Sequence, residues 1–339
     1  MSRKKPLSRA ARIFRAFAFA LLAATAGVLL FLFLAPLTER RDPAPIPGSS
    51  DWMSRLDDAL PLNRIALPGT HDSGAQFAQL AYFSKCQASD IRTQLDDGFR
   101  YLDIRLGVTG EGEDTRALFY HGFCRCRTGF FPWAPALDLE TALQDCYGFL
   151  EEHPSETVLF TVKQEQGEDT AALQALLDKA IRQDPDKWLL TGRIPTLGEA
   201  RGRLVLVRRY EDKAGLGDRS GLFLDWPDQG GRTDTGAHAS SVELPWGRLL
   251  VQDRYKYETG EKWTAFLAGL AAGSQETDEL RLHFLSTNGS PKFGHPFSYA
   301  KTLNLFLEAE DLSAYPPSWI IVDFSDAGLA CAVYSRNFR

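Results

Sequence analysis

Past its first 41 residues the chain is short of positive charge. Eight of its 38 Lys and Arg fall in residues 1–41 beside a single Glu, which leaves 30 basic against 43 acidic residues, a net charge of −13, in residues 42–339. A surface of that sign repels polyphosphate, so nucleic acid is not an expected partner. Cysteine is scarce too, five in 339, which excludes a disulfide-built miniprotein. The Cys124-x-Cys126 pair has one spacer residue and no Cys/His pair beyond it at zinc-site distance, so a structural zinc site is not expected. No internal repeat occurs, and the absence of a Gly-x-Gly-x-x-Gly turn argues against a dinucleotide fold. What remains, 44% hydrophobic and 24% charged, is the composition of a folded protein rather than a disordered or collagenous one.

One long apolar run is present. After Arg3, Lys4, Lys5, Arg9, Arg12 and Arg15, no charge appears from Ala16 to Thr38, enough for a helix of about 30 Å, the thickness of a hydrocarbon core. The run is longer than a cleavable signal peptide's apolar core and ends in FLFLAPLTERR, which favours an uncleaved anchor over a cleaved leader. The basic residues before it place the N-terminus in the cytoplasm and the rest of the chain outside. Residues 1–41 are therefore expected to be an export segment, 42–50 (DPAPIPGSS) a tether, and 51–339 one folded domain. In an oxidising compartment one or two disulfides among Cys86, Cys124, Cys126 and Cys146 are expected, with the pairing open.

From Leu62 onward, short apolar runs alternate with helical stretches. The runs are 63–72, 99–106, 117–122, 157–165, 203–210, 249–255, 282–288 and 319–326; helices are expected at 88–98, 139–153, 169–184, 262–273 and 299–310. Alternation over this length predicts an α/β fold, a distorted TIM-type (β/α) barrel, whose site forms at the carboxyl ends of the strands. His71, Asp72, Asp103, Arg105, His121, Lys163, Arg209, Asp253, Tyr255 and Asp323 stand there. Two imidazoles, several cations and several carboxylates on one rim suit a phosphate ester.

The runs LPGTHDSGA (67–75), QLDDGFRYLDIRL (94–106), YHG (120–122) and HPSETVLFTVKQE (153–165) resemble a phosphatidylinositol-specific phospholipase C of the bacterial type. The likeness continues in order through PTLGEARGRLVLVRRY (195–210), DWPD (225–228), VQDRYK (251–256) and WIIVDF (319–324). The resemblance implies that the inositol 2-hydroxyl attacks its own phosphodiester, giving diacylglycerol and a 1,2-cyclic inositol phosphate. It implies His71 as base, His121 as acid, Asp323 as the carboxylate orienting the base, Arg105 on the phosphate, and Asp72 working with that arginine and the leaving oxygen. Lys163, Arg209, Asp253 and Tyr255, with Asp103, match positions that bind the inositol. Asp72 could instead cap its turn, His121 could be an ordinary strand-end histidine, and Tyr255 could be packing. Arg105 stands where calcium-using relatives place a ligand, so no metal or other cofactor is expected. The expected partner is an inositol phospholipid in a membrane, met by a monomer.

Two other functions compete: a metal-dependent glycerophosphodiester phosphodiesterase, against which Arg105 and Lys163 argue, and a catalytically silent lipid-binding domain tethered at the membrane, against which the two histidines and Asp323 argue. His153, before Pro154 at a helix end, is expected to cap and not to catalyse. The aromatic segment GFFPW (129–133) is either a plug on the barrel rim or an exposed patch that enters a bilayer interface.

Overall fold

Side chains alternate between the two faces of a strand, so runs apolar on both faces mark strands held between a core and a layer of helices. The computed structural model, which describes residues 8–41, 44–167, 170–231, 238–272, 278–289 and 294–338, builds eight of its strands from those runs and adds five short ones outside them. In chain order the strands are β1 (Leu67–Thr70), β2 (Phe77–Ala78), β3 (Tyr101–Thr109), β4 (Arg116–His121), β5 (Cys124–Arg127), β6 (Val158–Gln166), β7 (Trp188–Leu189), β8 (Leu204–Arg208), β9 (Leu222–Phe223), β10 (Ser240–Leu244), β11 (Gly247–Gln252), β12 (Glu279–Phe284) and β13 (Trp319–Val322). The helices are α1 (Arg9–Phe33), α2 (Ala81–Ser84), α3 (Ile91–Asp96), α4 (Leu139–Glu152), α5 (Thr170–Gln183), α6 (Leu197–Ala200), α7 (Thr259–Ala271), α8 (Pro296–Ala309) and α9 (Ala327–Tyr334).

Eight strands follow one another in parallel in the order β11, β12, β13, β1, β3, β6, β8, β9, the strand number of a TIM-type barrel, and the two-residue β7 pairs in parallel with β8 off this path. Helix α7 packs on β11 and β12, α5 on β3, and α9 on β1. Gly69 makes the β13–β1–β3 contact possible, because a Cβ there would come within 2.3 Å of Ile321 and 2.8 Å of Tyr101. Between β9 and β11 no backbone ladder forms among the described residues, and side chains span the seam instead. Trp246 Nε1 donates to the Phe223 carbonyl at 2.6 Å, while the Gln229 amide donates to Val251 O at 3.2 Å and accepts from Asp253 N at 2.9 Å, much as a neighbouring strand's peptide group would.

Three expectations change. The run carrying His121, read as a barrel strand, is β4, and it returns antiparallel along β3. The stretch after it is not a plain loop either: β5 pairs with β4 and β2, so the aromatic segment follows β5 rather than the His121 strand. The expected disulfides are not formed, since all five cysteines are free. Burial pushes the thiols of Cys86, Cys124, Cys126 and Cys146 up, which disfavours the thiolate that disulfide exchange requires.

Of the tether, Asp42 and Pro43 lie outside the described residues. On either side of them the chain is fastened to the domain. Lys85 Nζ donates to the carbonyls of Leu37 and Glu39, both at 2.8 Å. Glu39 meets His295 Nε2 at 2.8 Å, and Arg41 pairs with Glu308 at 2.8 Å and Asp326 at 3.0 Å. Ser49 is buried, its hydroxyl 3.1 Å from that of Tyr334.

Candidate active site

Period two places the functional side chains. Tyr101, Leu159, Val205, Leu249 and Ile321 belong to the central core, and the residues on the same faces further along those strands are Asp103 and Arg105, Lys163 and Glu165, Arg209, Asp253 and Asp323. Each strand thus ends its apolar inward series with a polar residue at the rim. They surround a cavity of about 440 Å³ lined by His71, Arg105, His121, Lys163, Glu165, Arg209, Asp225, Asp228, Asp253, Tyr255 and Asp323, a size suited to a small-molecule headgroup.

His71 continues the β1–β13 ladder, its amide donating to Val322 O at 2.9 Å. Its Nδ1 lies 2.8 Å from Asp323 Oδ1, which leaves Nε2 for substrate. Asp72 and Phe324, the residues after this pair, both take left-handed backbone (φ 45° and 50°), so the two adjacent chains turn sharply just beyond it. Side chains hold those turns: Asn304 Nδ2 donates to Asp323 O at 2.9 Å, and Gln87 Nε2 to His71 O at 2.7 Å. Gly74 lets the turn close on the hairpin, since a Cβ there would stand 2.2 Å from the Phe119 ring.

His121 faces His71 across the cavity, ring centroids 6.0 Å apart and planes at 86°. Its Nδ1 donates to Ser84 O at 2.8 Å, a bond to a carbonyl that fixes the tautomer with Nε2 as acceptor in the neutral ring. Burial, then Arg105, push its pKa down, so the neutral form is favoured. Arg105 donates through Nε to Asp103 at 2.9 Å and stands 3.8 Å from Glu165 and 4.0 Å from Asp72. Burial would raise Glu165, but Arg105 and Lys163 overcome it and hold the carboxyl down to about 2.

Asp72 and Asp103, expected at the substrate, are fully buried and do not line the cavity. Asp103 lies behind the two arginines, 2.9 Å from Arg105 and 3.8 Å from Arg209, and accepts from Asp72 N at 3.2 Å. It orients the cations, and they hold it ionised well below the ordinary carboxylate range against the pull of burial. Asp72 is different: neither carboxyl oxygen has a hydrogen-bond partner, and burial pushes it up to about 8 despite Arg105 and His71. At neutral pH it holds its proton, 3.6 Å from His121 Nδ1.

On the opposite wall, Arg209 stacks over Trp226 at 3.7 Å, and Trp226 Nε1 donates to Asp253 at 3.2 Å. Tyr255 donates to Asp228 at 2.6 Å, with its ring flanking the pocket. The sequence reading gave no role to Glu165, Asp225, Asp228 or Trp226, although all lie in quoted motifs. For Glu165 the signal was its place two residues past Lys163, on the same face of a strand. Cys86 was read only as a disulfide candidate; its thiol lies 3.5 Å from His121 Nδ1.

Among the described residues, His71, Cys86 and Asp323, and Asp72, Cys86 and His121, form the two clusters close enough to hold a metal. Both share one buried thiol and sit beside Arg105, whose charge opposes a cation there. His153 closes α4 and pairs with Asp51 at 2.8 Å, far from the cavity in role. GFFPW is no plug: Phe131 is 55% and Trp133 79% exposed, their rings stacked on each other 4.8 Å apart.

Known proteins resemble this chain in sequence and fold. Residues 67–210 match the model of the phosphatidylinositol-specific phospholipase C X domain. A 1-phosphatidylinositol phosphodiesterase of Staphylococcus aureus is 28% identical over 295 residues, 81% of this chain and 88% of that protein. A human PI-PLC X domain-containing protein 1 is 28% identical over 201 residues, 50% of this chain and 59% of that protein. A crystal structure of the Staphylococcus aureus phosphatidylinositol-specific phospholipase C shares the fold at a TM-score of 0.67 and 23% identity, over 85% of this chain and 97% of that one. Residues 67–210 are thus similar to the phosphatidylinositol-specific phospholipase C X-domain family, and the chain as a whole shares the fold of a bacterial member.

Proposed function

We infer that the protein is a phosphatidylinositol-specific phospholipase C working by intramolecular transfer. The observation that carries this is the pair of imidazoles facing each other across a cavity that Arg105 also lines, with Asp323 behind one. His71 Nε2 takes the proton of the inositol 2-hydroxyl, and Asp323 stabilises the imidazolium that forms. The freed oxygen attacks phosphorus and the bond to the glycerol oxygen breaks. Arg105 offers its fork to the non-bridging oxygens. The glycerol oxygen needs a proton, and His121, its Nδ1 tied to the Ser84 carbonyl, presents Nε2 to the cavity to give it as the imidazolium. Asp72 stands behind that ring, 3.6 Å from Nδ1, and positions it from outside the cavity. The headgroup wall of Lys163, Glu165, Arg209, Asp253 and Tyr255 pairs charge with vicinal hydroxyls.

We further propose that no metal takes part and that α1 is a membrane anchor with the domain outside the cytoplasm. Helix α1 is apolar and exposed along its length, and its C-terminal end leads directly into the segment held by Lys85. Phosphorus NMR of the full chain with phosphatidylinositol in excess chelator tests the reading: a cyclic inositol phosphate signal supports it, and direct appearance of the acyclic phosphate, or no reaction until a divalent cation is restored, overturns it.

A further inference from the structure

Beside the catalytic cavity lies a second one of about 420 Å³, between the end of α1 and the antiparallel pair β2–β5. We propose that it is a subsite for an acyl chain of the lipid substrate. The proposal rests on the phospholipase reading above and adds where the leaving half of the lipid goes.

The two cavities share a wall. Leu80, at the start of α2, lines the second, and Phe83, within that helix, lines the first. Cys124 lines the second and is the ladder partner of His121, which lines the first. The glycerol oxygen departs at His121, so the chains bound to that glycerol leave past this wall.

The lining suits a hydrocarbon. Phe33, Leu34, Leu37, Phe77, Phe123 and Phe130 surround the space, and the charged Arg127 turns its guanidinium to the Ala134 carbonyl at 3.2 Å. Its volume is within the range of ligand pockets. A polar headgroup would find few hydrogen bonds there, whereas each methylene transferred from water is favoured.

The wall that α1 supplies is built into the domain. Lys85 is 2% exposed, its ammonium bonded to the Leu37 and Glu39 carbonyls. Tyr82 stacks on His295 at 4.3 Å and meets Phe31 at 4.9 Å, while His295 holds the Glu39 carboxylate. These contacts fix the end of the apolar helix across the cavity from Phe123 and Phe130. The space therefore opens where α1 departs. A lipid in the membrane that α1 enters can raise one chain into it without leaving the bilayer.

Two measurements on the full chain in phosphatidylcholine nanodiscs test this. Phosphatidylinositol with a diazirine on one acyl chain should label peptides spanning Phe77–Leu80 and Phe123–Phe130. Labelling confined to α1, or spread over distant surface, overturns the proposal. With soluble phosphatidylinositols of four to eight acyl carbons, below their critical micelle concentrations, kcat/KM should rise about threefold for each methylene that reaches the cavity. In F123N/F130N that rise should flatten to near unity. An unchanged rise, or an equal drop on inositol 1,2-cyclic phosphate, which has no chain, overturns the subsite. Absence of diacylglycerol release by the unaltered chain defeats the phospholipase reading instead, and the labelling pattern still judges the cavity.

Discussion

Asp323 Oδ1 lies 2.8 Å from Nδ1 of His71, a contact between residues 252 positions apart, at the ends of the adjacent parallel strands β13 and β1. The carboxylate fixes which imidazole nitrogen faces the cavity and favours the charged ring that forms when His71 accepts a proton. His71→Ala should lower turnover by about 10²-fold or more, the scale of general base catalysis. Asp323→Asn should also lose at least ~10²-fold through the wrong tautomer. Both are read as kcat on phosphatidylinositol, with circular dichroism to check the fold. A folded His71→Ala protein with normal turnover would exclude His71 as base.

Asp72 ties activity to stability with a defined sign. In the native state it keeps its proton up to about pH 8, whereas in the unfolded chain it titrates near 3.8. Between these values the native state binds more protons, so the stability this residue contributes is complete below pH 3.8 and is lost as pH rises to about 8. Asp72→Asn cannot ionise. Its stability relative to the unaltered protein should therefore improve from pH 4 to 8, by up to about 1.4 kcal/mol per pH unit, while turnover falls. Denaturant midpoints of both proteins at three pH values decide it; parallel curves would place the carboxyl in a solvated, ionised state.

Arg105 is oriented by its hydrogen bond to Asp103 at 2.9 Å, with the Glu165 carboxylate 3.8 Å away. Activity should be unchanged by chelator. Arg105→Lys should lose ~10²-fold or more, because a point charge does not reproduce the planar fork. Calcium-dependent turnover of the unaltered enzyme would reverse the assignment.

Phe131 and Trp133, stacked and exposed, form an apolar face on the loop after β5. Changing both to Ser in residues 45–339 should weaken binding to phosphatidylinositol vesicles at least about tenfold, because each ring leaves an interface that favours it. Hydrolysis of soluble inositol cyclic phosphate and the melting temperature should stay as they were. A fall in melting temperature would make the pair part of the core.

The sequence by itself determined seven of the eight parallel strands, all but the two-residue β9 that lies outside the apolar runs, and the identity of the rim residues. Both follow from periodicity and from the fact that a strand buried on two faces ends its apolar run where it meets solvent: the runs around His71, Arg105, Lys163, Arg209, Asp253 and Asp323 could be read one at a time. Which side chains reach the cavity was decided only by tertiary structure. Asp103 and Arg105 share one face of β3, yet one lies beneath the other, and their depth depends on how the neighbouring strands stagger. The antiparallel path of β4 was hidden because an apolar run carries no direction. Asp72's retained proton was equally hidden, because its full burial beside Arg105, Asp103 and His121 comes from β3 and β4, distant in sequence, and no local pattern around residue 72 encodes that.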